Sequence, residues 1–498
     1  MAHQQHGFLE GHAESTPAWA AVAAVVAMLV GWLFWRLFSV SPESQGKLPV
    51  PPGSFKWPLL GETLDYLDCA RRNRVADFFN ARVAKYGETF KTHILFNPTV
   101  SVAAPDGNKF LFANENKLVQ NHWPPSVSRL LGEHSMATKV GEEHRRARRV
   151  YTNFFKPEGL QSFVPRIDEL ARSHNSKYWE GKEFILGGPT VRDFTFAVAA
   201  DLFLSLKHDD PMFRPFELAA CDYLAGILQV PINLPGTAYR KGILGRESQL
   251  RVIDMSLKQR RQEMKEGRVP PQQDLMSVLL NTLNEDGTPM SDDQIKDNML
   301  LFVFAGHDTS SSALAGLLKY LSLNPECLKK VLEEQMEIRK EKGGEDIPLS
   351  WDDTRKMKYT WRTIQETLRL QPSVQAAFRT VIEEFEYDGY TIPKGWTIFW
   401  SVGRSHRNPK FFPDPEKFDP SRFEGTGPAP FTFVPFGGGP HICPGNEFAR
   451  TEILVYIHYL VLNYEWEMVD PTEDVCIDPM PLFTKQLQLR VRKRFPSL

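Results

Sequence analysis

The stretch Pro435-Phe436-Gly437-Gly438-Gly439-Pro440-His441-Ile442-Cys443-Pro444-Gly445 decides how the rest of the chain is read. Three consecutive glycines open backbone conformations closed to other residues and let a flat ligand approach the main chain. Pro444-Gly445 then leads into a strongly helical run from Asn446, and a helix N-terminus favours an anion such as a thiolate. Cys443 is thereby placed as a metal-binding thiolate in a tight loop. A phosphate-cradling loop and an inert turn are the competing readings of the same glycines. The other cysteines, Cys69, Cys221, Cys327 and Cys476, lie far apart with no CxxC pair and read as inert thiols of a reducing compartment.

The spacing Phe436-x-x-Gly439-x-His441-x-Cys443-x-Gly445 resembles the haem-ligand signature of the cytochrome P-450 superfamily, in which thiolate-bound iron activates dioxygen. The resemblance implies haem b with Cys443 as the axial iron ligand and Phe436, Gly439 and Gly445 shaping the loop against it. Its implied fold is mainly α with a minor β-sheet, a single large haem domain behind one N-terminal transmembrane helix.

Upstream segments fall in the order that resemblance requires. Glu366 and Arg369 are three apart on one helix face, as an internal ion pair needs, and Pro415–Phe423 resembles the family segment supplying Arg422 as a third member. Their implied role is to hold the loops below the cofactor. Ala305-Gly306-His307-Asp308-Thr309 resembles the family's oxygen-activation groove. There Gly306 thins the helix, the Thr309 hydroxyl donates to dioxygen and Asp308 links to solvent protons; an ordinary buried helix is the plain reading. For the haem propionates the resemblance offers His144, Arg148, Arg379 and His441. Many relatives carry Arg two residues before the ligand and Trp where His144 stands. A histidine titrates near neutrality, so its propionate contact is expected to depend on pH.

The chain has 498 residues, 42% hydrophobic and 24% charged, which excludes disordered, collagen-like and wholly membrane-embedded proteins. Lys and Arg number 59 against 61 Asp and Glu, a formal charge of −2 that argues against coating nucleic acid. Length alone suggests about three domains. Residues as distant as His144 and Cys443 must nevertheless meet at one cofactor, which demands one body over 54–498. Ahead of it, Ala18–Trp35 is uncharged and mostly apolar, about 27 Å long as a helix and able to span a thin bilayer. The expected order is a lumenal segment 1–17, an anchor over 18–38 and a proline-rich linker over 39–53. Arg36 and Lys47 follow the apolar run, so a single-pass protein of the endoplasmic reticulum with its catalytic domain in the cytosol is expected.

Helical patterns cover 291–324, with Ser291 as N-cap, then 325–342, 352–370 and 445–463. Strand signals lie at Thr89–His93, Val100–Ala103, Glu386–Tyr390 and Thr397–Trp400, the last two around the turn Pro393-Lys394-Gly395. Pro231–Gly236, Phe431–Pro435, Asn446–Leu454 and Ile477–Pro481 look like the plant branch that oxidises triterpenoids such as β-amyrin, with taxane hydroxylases nearby. Apolar candidates for the substrate pocket are Trp123, Leu301, Phe304, Ala305, Val374, Ala376, Ala377, Phe378, Leu482 and Phe483, with plain core as the reading for about half. Ile227–Pro235 is placed to dip into a membrane and admit a lipophilic molecule. Arg145, Arg146 and Arg149 form a basic patch suited to an acidic flavoprotein.

These readings converge on a monooxygenase that places one oxygen atom from dioxygen into a large terpenoid or sterol-like skeleton, its electrons coming from NADPH through a reductase. The competing functions are a haem-thiolate isomerase or dehydratase acting on peroxides without a reductase, a hormone-catabolic hydroxylase of the same fold, and a non-enzymatic haem sensor or membrane scaffold. The first and last of these would not need the groove around Asp308 and Thr309.

Overall fold

A computed structural model describes residues 24–25, 27–29, 31–32, 48–56, 61–72, 74–95, 97–102, 105–270 and 273–494. The lumenal segment 1–17, most of the anchor 18–38 and the first half of the linker lie outside the described residues; the seven residues described within the anchor are helical. Among the described residues no helix is long and apolar enough to cross a membrane. The second half of the expected linker is part of the folded body. Pro49 and Leu48 carbonyls accept the backbone and side chain of Thr391, and Pro52 accepts the Lys91 N–H at 2.8 Å. Extended, proline-rich backbone offers its carbonyls to the sheet beside it.

The longest helix, Asp292–Leu323, runs through the main core and positions the site. Ser291 begins it with a full capping box, its hydroxyl accepting from the Gln294 N–H while the Gln294 side chain returns to the Ser291 N–H. Helices Gly187–Leu204, Lys358–Leu370 and Asn446–Asn463 pack against it. A helix pair, Phe213–Gly226 and Ala238–Lys265, covers one side through near backbone-to-backbone contact: a Cβ on Gly226 would lie 2.6 Å from the Gly242 Cα. The expected helix over 352–370 is two, Trp351–Lys356 and Lys358–Leu370, separated at Met357. The Glu334 carboxylate, from helix Pro325–Glu341, takes the Tyr359 and Thr360 N–H groups at 2.6 and 2.9 Å. It caps the second helix from outside, and the local sequence cannot show that.

The principal sheet has five strands in the order Phe90–Ile94, Asn97–Ser101, Thr397–Ser401, Ala376–Val381, Val119–His122. Asn97–Ser101 and Thr397–Ser401 pair in parallel, the others antiparallel. The strand expected at Val100–Ala103 therefore starts earlier, and Ala103 is outside the described residues. The expected strand Glu386–Tyr390 is instead a hairpin, Phe385–Tyr387 with Tyr390–Ile392. It turns at Asp388 and Gly389, both at positive φ, a two-residue turn whose Asp-Gly signal was present in the sequence. A three-stranded sheet, Phe184–Leu186, Gln488–Lys493 and Tyr464–Met468, closes the far side. The described body is thus mainly α with minor sheets, as expected.

Candidate functional site

The loop ahead of helix Asn446–Asn463 is closed by the Cys443 N–H, which donates to the Phe436 carbonyl at 2.9 Å. Gly437 and Gly439 take left-handed backbone, and a Cβ on Gly439 would meet the Phe112 carbonyl at 2.9 Å. Gly438 needs its hydrogen for a different reason, since a Cβ there would strike the Phe112 ring at 2.4 Å. Phe112, from helix Asp106–Ala113, thus braces the loop, a partner that no local motif announces. Phe436 packs half-buried against the main core. Burial pushes the Cys443 thiol above its ordinary range, while the Gly445 N–H and the Arg148 charge pull the other way. A thiol in that balance releases its proton when a bound cation supplies the missing charge.

Beside the loop, four basic side chains converge. His144 and Arg148, from helix Gly141–Phe155, stand with Arg148 donating to the Ile442 carbonyl. The His144 and His441 rings stack with centroids 3.7 Å apart. Sheet register puts Arg379 opposite Asn121, and Arg379 donates from Nε to Glu115 and from Nη1 to Asn121 at 3.3 Å. Glu115, Lys117, His144, Arg145 and Arg148 edge a cavity of about 580 Å³ that reaches Gly439 and Ile442. Burial, reinforced by neighbouring charges that include Arg148 and Arg379, pushes His144 down to about 4 and His441 down to about 3. This corrects the expectation that either imidazole titrates near neutrality in the protein's own field. His441 Nε2 is buried and has no hydrogen-bond partner. A half-buried thiol short of a cation, beside two arginines and two neutral imidazoles, one with an unpartnered nitrogen, fits a group carrying a metal at its centre and anions at its edge.

On helix Asp292–Leu323, Ala305 and Thr309 sit one turn apart, Ala305 exposed and Thr309 half-buried. The Thr309 hydroxyl donates to the Ala305 carbonyl at 2.7 Å. Gly306 does not widen that face: a Cβ there would lie 3.2 Å from the Phe203 ring and 3.7 Å from Phe448. Its missing side chain lets neighbouring aromatics approach. Asp308 is buried, not open to solvent; Arg192 Nη2 stands 2.9 Å from Oδ1 and His307 Nε2 3.2 Å from Oδ2. Although burial pushes the carboxyl up, the charges of His307 and Arg192 hold it below its ordinary range.

The expected ion-pair network is assembled. Arg369 donates to Glu366 through Nε at 2.7 Å and Nη2 at 2.8 Å, and both side chains are wholly buried. Arg369 also reaches the carbonyls of His406, Pro415 and Lys417 at 2.7 to 3.1 Å. Arg422 Nε lies 3.5 Å from Glu366. His406 Nε2 accepts the Val434 N–H at 2.9 Å, which carries the network to the residue just ahead of the glycine loop.

Among the apolar candidates, Trp123, Ala305, Val374 and Leu482 are exposed, and Phe304, Ala376, Ala377 and Phe378 are half-buried. Leu301 and Phe483 are buried in the main core. In the short strand Pro481–Phe483 alternate residues face in, so Leu482 faces out. The basic patch is not free: Arg145 pairs with Glu142 at 2.6 Å, Arg146 with Glu285 at 3.3 Å, and Arg149 with both acids at 3.7 Å. Exposed pairs of this kind are worth about 0–1 kcal/mol, so a partner's acids can displace them.

The family model described as Cytochrome P450 matches residues 51–491. The chain is 41% identical over 472 residues to beta-amyrin 28-monooxygenase of Medicago truncatula, covering 94% of this chain and 98% of the relative. It is 43% identical over 446 residues to the protein of that name from Solanum lycopersicum, covering 89% and 92%. Protopanaxadiol 6-hydroxylase of Panax ginseng is 39% identical over 466 residues, covering 92% of this chain and 95% of the relative. The solved structure of retinoic-acid-bound cyanobacterial CYP120A1 superposes with a TM-score of 0.81 at 32% identity, over 90% of this chain and 100% of that one.

Proposed function

The chain belongs to the cytochrome P450 family, and from that premise we propose that it is a monooxygenase placing one oxygen atom from dioxygen into a triterpenoid of the β-amyrin kind. The substrate class rests on the beta-amyrin 28-monooxygenases it resembles over nearly its whole length. The reaction class rests on the convergence of Cys443 with the arginines Arg148 and Arg379 and the neutral imidazoles of His144 and His441.

Haem b, when bound, supplies the activation of dioxygen. Cys443 would hold its iron, His144, Arg148, Arg379 and His441 would take its carboxylates, and Phe436, Gly439 and Gly445 would shape the loop that presents the thiolate. With its own proton engaged by the Ala305 carbonyl, the Thr309 hydroxyl offers lone pairs to a proton donor in the adjoining space. Asp308 and Arg192 connect that turn of the helix with the surface, because Arg192 is partly exposed. Exposed Trp123, Val374 and Leu482 present apolar surface suited to a large greasy substrate. Peroxide isomerisation without a reductase is not favoured, since Asp308 and Thr309 are present and the relatives are named monooxygenases and hydroxylases.

Electrons come from NADPH through a reductase whose acidic face displaces Glu142 and Glu285 from Arg145, Arg146 and Arg149. The protein sits on the endoplasmic reticulum membrane through residues 18–38, with exposed Val230, Ile232 and Leu234 meeting the lipid beside it.

The test has two stages. Reduced protein under carbon monoxide should show thiolate-type absorption that Cys443→Ser abolishes; its absence from folded wild-type protein rejects the haem-thiolate site. Membranes holding the protein and a reductase, given NADPH and β-amyrin, should yield an oxygenated triterpenoid by mass spectrometry. An intact spectrum with no product rejects the substrate class.

A further inference from the structure

We propose that Glu115 is a positioning residue that fixes the Arg379 guanidinium, beside the His441 imidazole, as an anion cradle at the edge of the haem site. The role rests on the reading of that site given above. Glu115 lies just beyond helix Asp106–Ala113, whose Phe112 braces the glycine loop. The same helix end therefore touches both the cysteine loop and the cradle. Glu115 Oε2 takes the Arg379 Nε, while the Phe378 carbonyl and Asn121 Oδ1 take Nη1 at 2.8 and 3.3 Å. Those three acceptors occupy two of the three guanidinium nitrogens and aim the fork, leaving Nη2 as its spare donor. Glu115 Oε1 is buried without a hydrogen-bond partner and stands 3.8 Å from His441 Nε2, which is equally unpartnered.

Burying the Glu115 carboxylate carries a desolvation cost, which the ion pair with Arg379 offsets. Its negative charge next to the cofactor also opposes addition of an electron there. Removing shape and removing charge should thus have separable effects, and Glu115→Ala and Glu115→Gln separate them.

The experiment uses holoenzyme of wild type and both variants. It measures haem loss to excess apomyoglobin, the haem reduction potential by spectroelectrochemical titration, and thermal unfolding. Glu115→Ala should lose haem at least about tenfold faster than wild type, equivalent to 1.4 kcal/mol or more. Glu115→Gln, which keeps the hydrogen-bonding shape, should stay close to the wild-type loss rate while its potential rises. Unchanged loss rate and potential in both variants would overturn the proposal, as would a lower melting temperature for Glu115→Ala with no change in potential for Glu115→Gln. If wild type itself lacks thiolate-type absorption under carbon monoxide, the haem-site reading fails instead.

Discussion

Arg192 and Asp308 form a buried ion pair, Nη2 to Oδ1 at 2.9 Å, that ties helix Gly187–Leu204 to the turn of helix Asp292–Leu323 carrying Thr309. The acid that the motif pointed toward solvent is held inside, and its route outward is the arginine. Arg192→Ala should destabilise the protein by about 3 kcal/mol, the lower end for orphaning a buried charge, because Arg192 is partly exposed and His307 still faces the acid. Arg192→Lys should recover most of that. Thermal unfolding followed by circular dichroism decides it, and equal stability of all three proteins would rule the pair out as a structural tie.

The Thr309 hydroxyl makes one hydrogen bond, to the Ala305 carbonyl one turn back, so it contributes little to holding the helix. Thr309→Ala should therefore keep haem content and the substrate-induced spectral shift while diverting NADPH electrons into hydrogen peroxide. Thr309→Ser should stay near wild type. Peroxide formed per NADPH consumed is the readout; coupling unchanged in Thr309→Ala would remove the residue from the chemistry.

Geometry ranks the ion-pair network. Arg369 is fully buried with five acceptor contacts, whereas Arg422 touches Glu366 at 3.5 Å and is partly exposed. Glu366→Ala and Arg369→Lys should each cost about 3–5 kcal/mol and leave little haem-loaded protein. Arg422→Lys should lose far less. The haem-to-protein ratio after purification measures the order, and a reversed order would contradict this description.

Glu452, on helix Asn446–Asn463, is wholly buried with neither carboxylate oxygen hydrogen-bonded, facing a Ser310 hydroxyl that is also unpartnered. Burial pushes its carboxyl well above 4.5, so the folded protein keeps a proton that the unfolded chain releases. The sign follows: above the unfolded pKa the folded state is penalised increasingly as pH rises, up to the folded pKa. Glu452→Gln carries no such penalty. Its melting-temperature advantage over wild type should grow as pH rises above 4.5; a constant or shrinking difference would show that Glu452 is not held neutral.

Ile232 and Leu234 are exposed in the segment after helix Phe213–Gly226. In a chain shortened to begin after residue 38, replacing both with Asp should reduce co-sedimentation with phospholipid vesicles several-fold, since each removes a buried apolar side chain from the interface. Binding equal to that of the unreplaced chain would place the membrane contact elsewhere.

Where a function is written in consecutive residues, it was legible before any coordinates. Cys443 with its glycines, Glu366 with Arg369, and Ser291 with Gln294 are each read from one short segment, because a loop or a helix turn brings residues a few apart into contact. Non-local partners were not legible. Glu115, Asn121 and Phe112 carry no motif, and Arg379 meets Asn121 only through antiparallel register. The groove motif misassigned Gly306, because a motif names the residues of a segment but not whether space or Phe203 lies opposite. Helical periodicity likewise ran through the break at Met357, since the cap comes from Glu334 on another helix.

By itself, then, the sequence determined the residues able to hold a thiolate-bound metal, because these depend on local backbone freedom, side-chain type and spacing, and its motifs carried the family resemblance that implied the monooxygenase chemistry and the α-rich fold. Only the tertiary structure decided which charges are paired, which apolar residues face open space and which protons are held. Asp308 is inward on Arg192, His144 and His441 are kept neutral by burial and nearby arginines, and Leu301 and Phe483 are core. Burial and electrostatic fields sum over every neighbour in three dimensions, and the order of residues along the chain does not contain that sum until it folds.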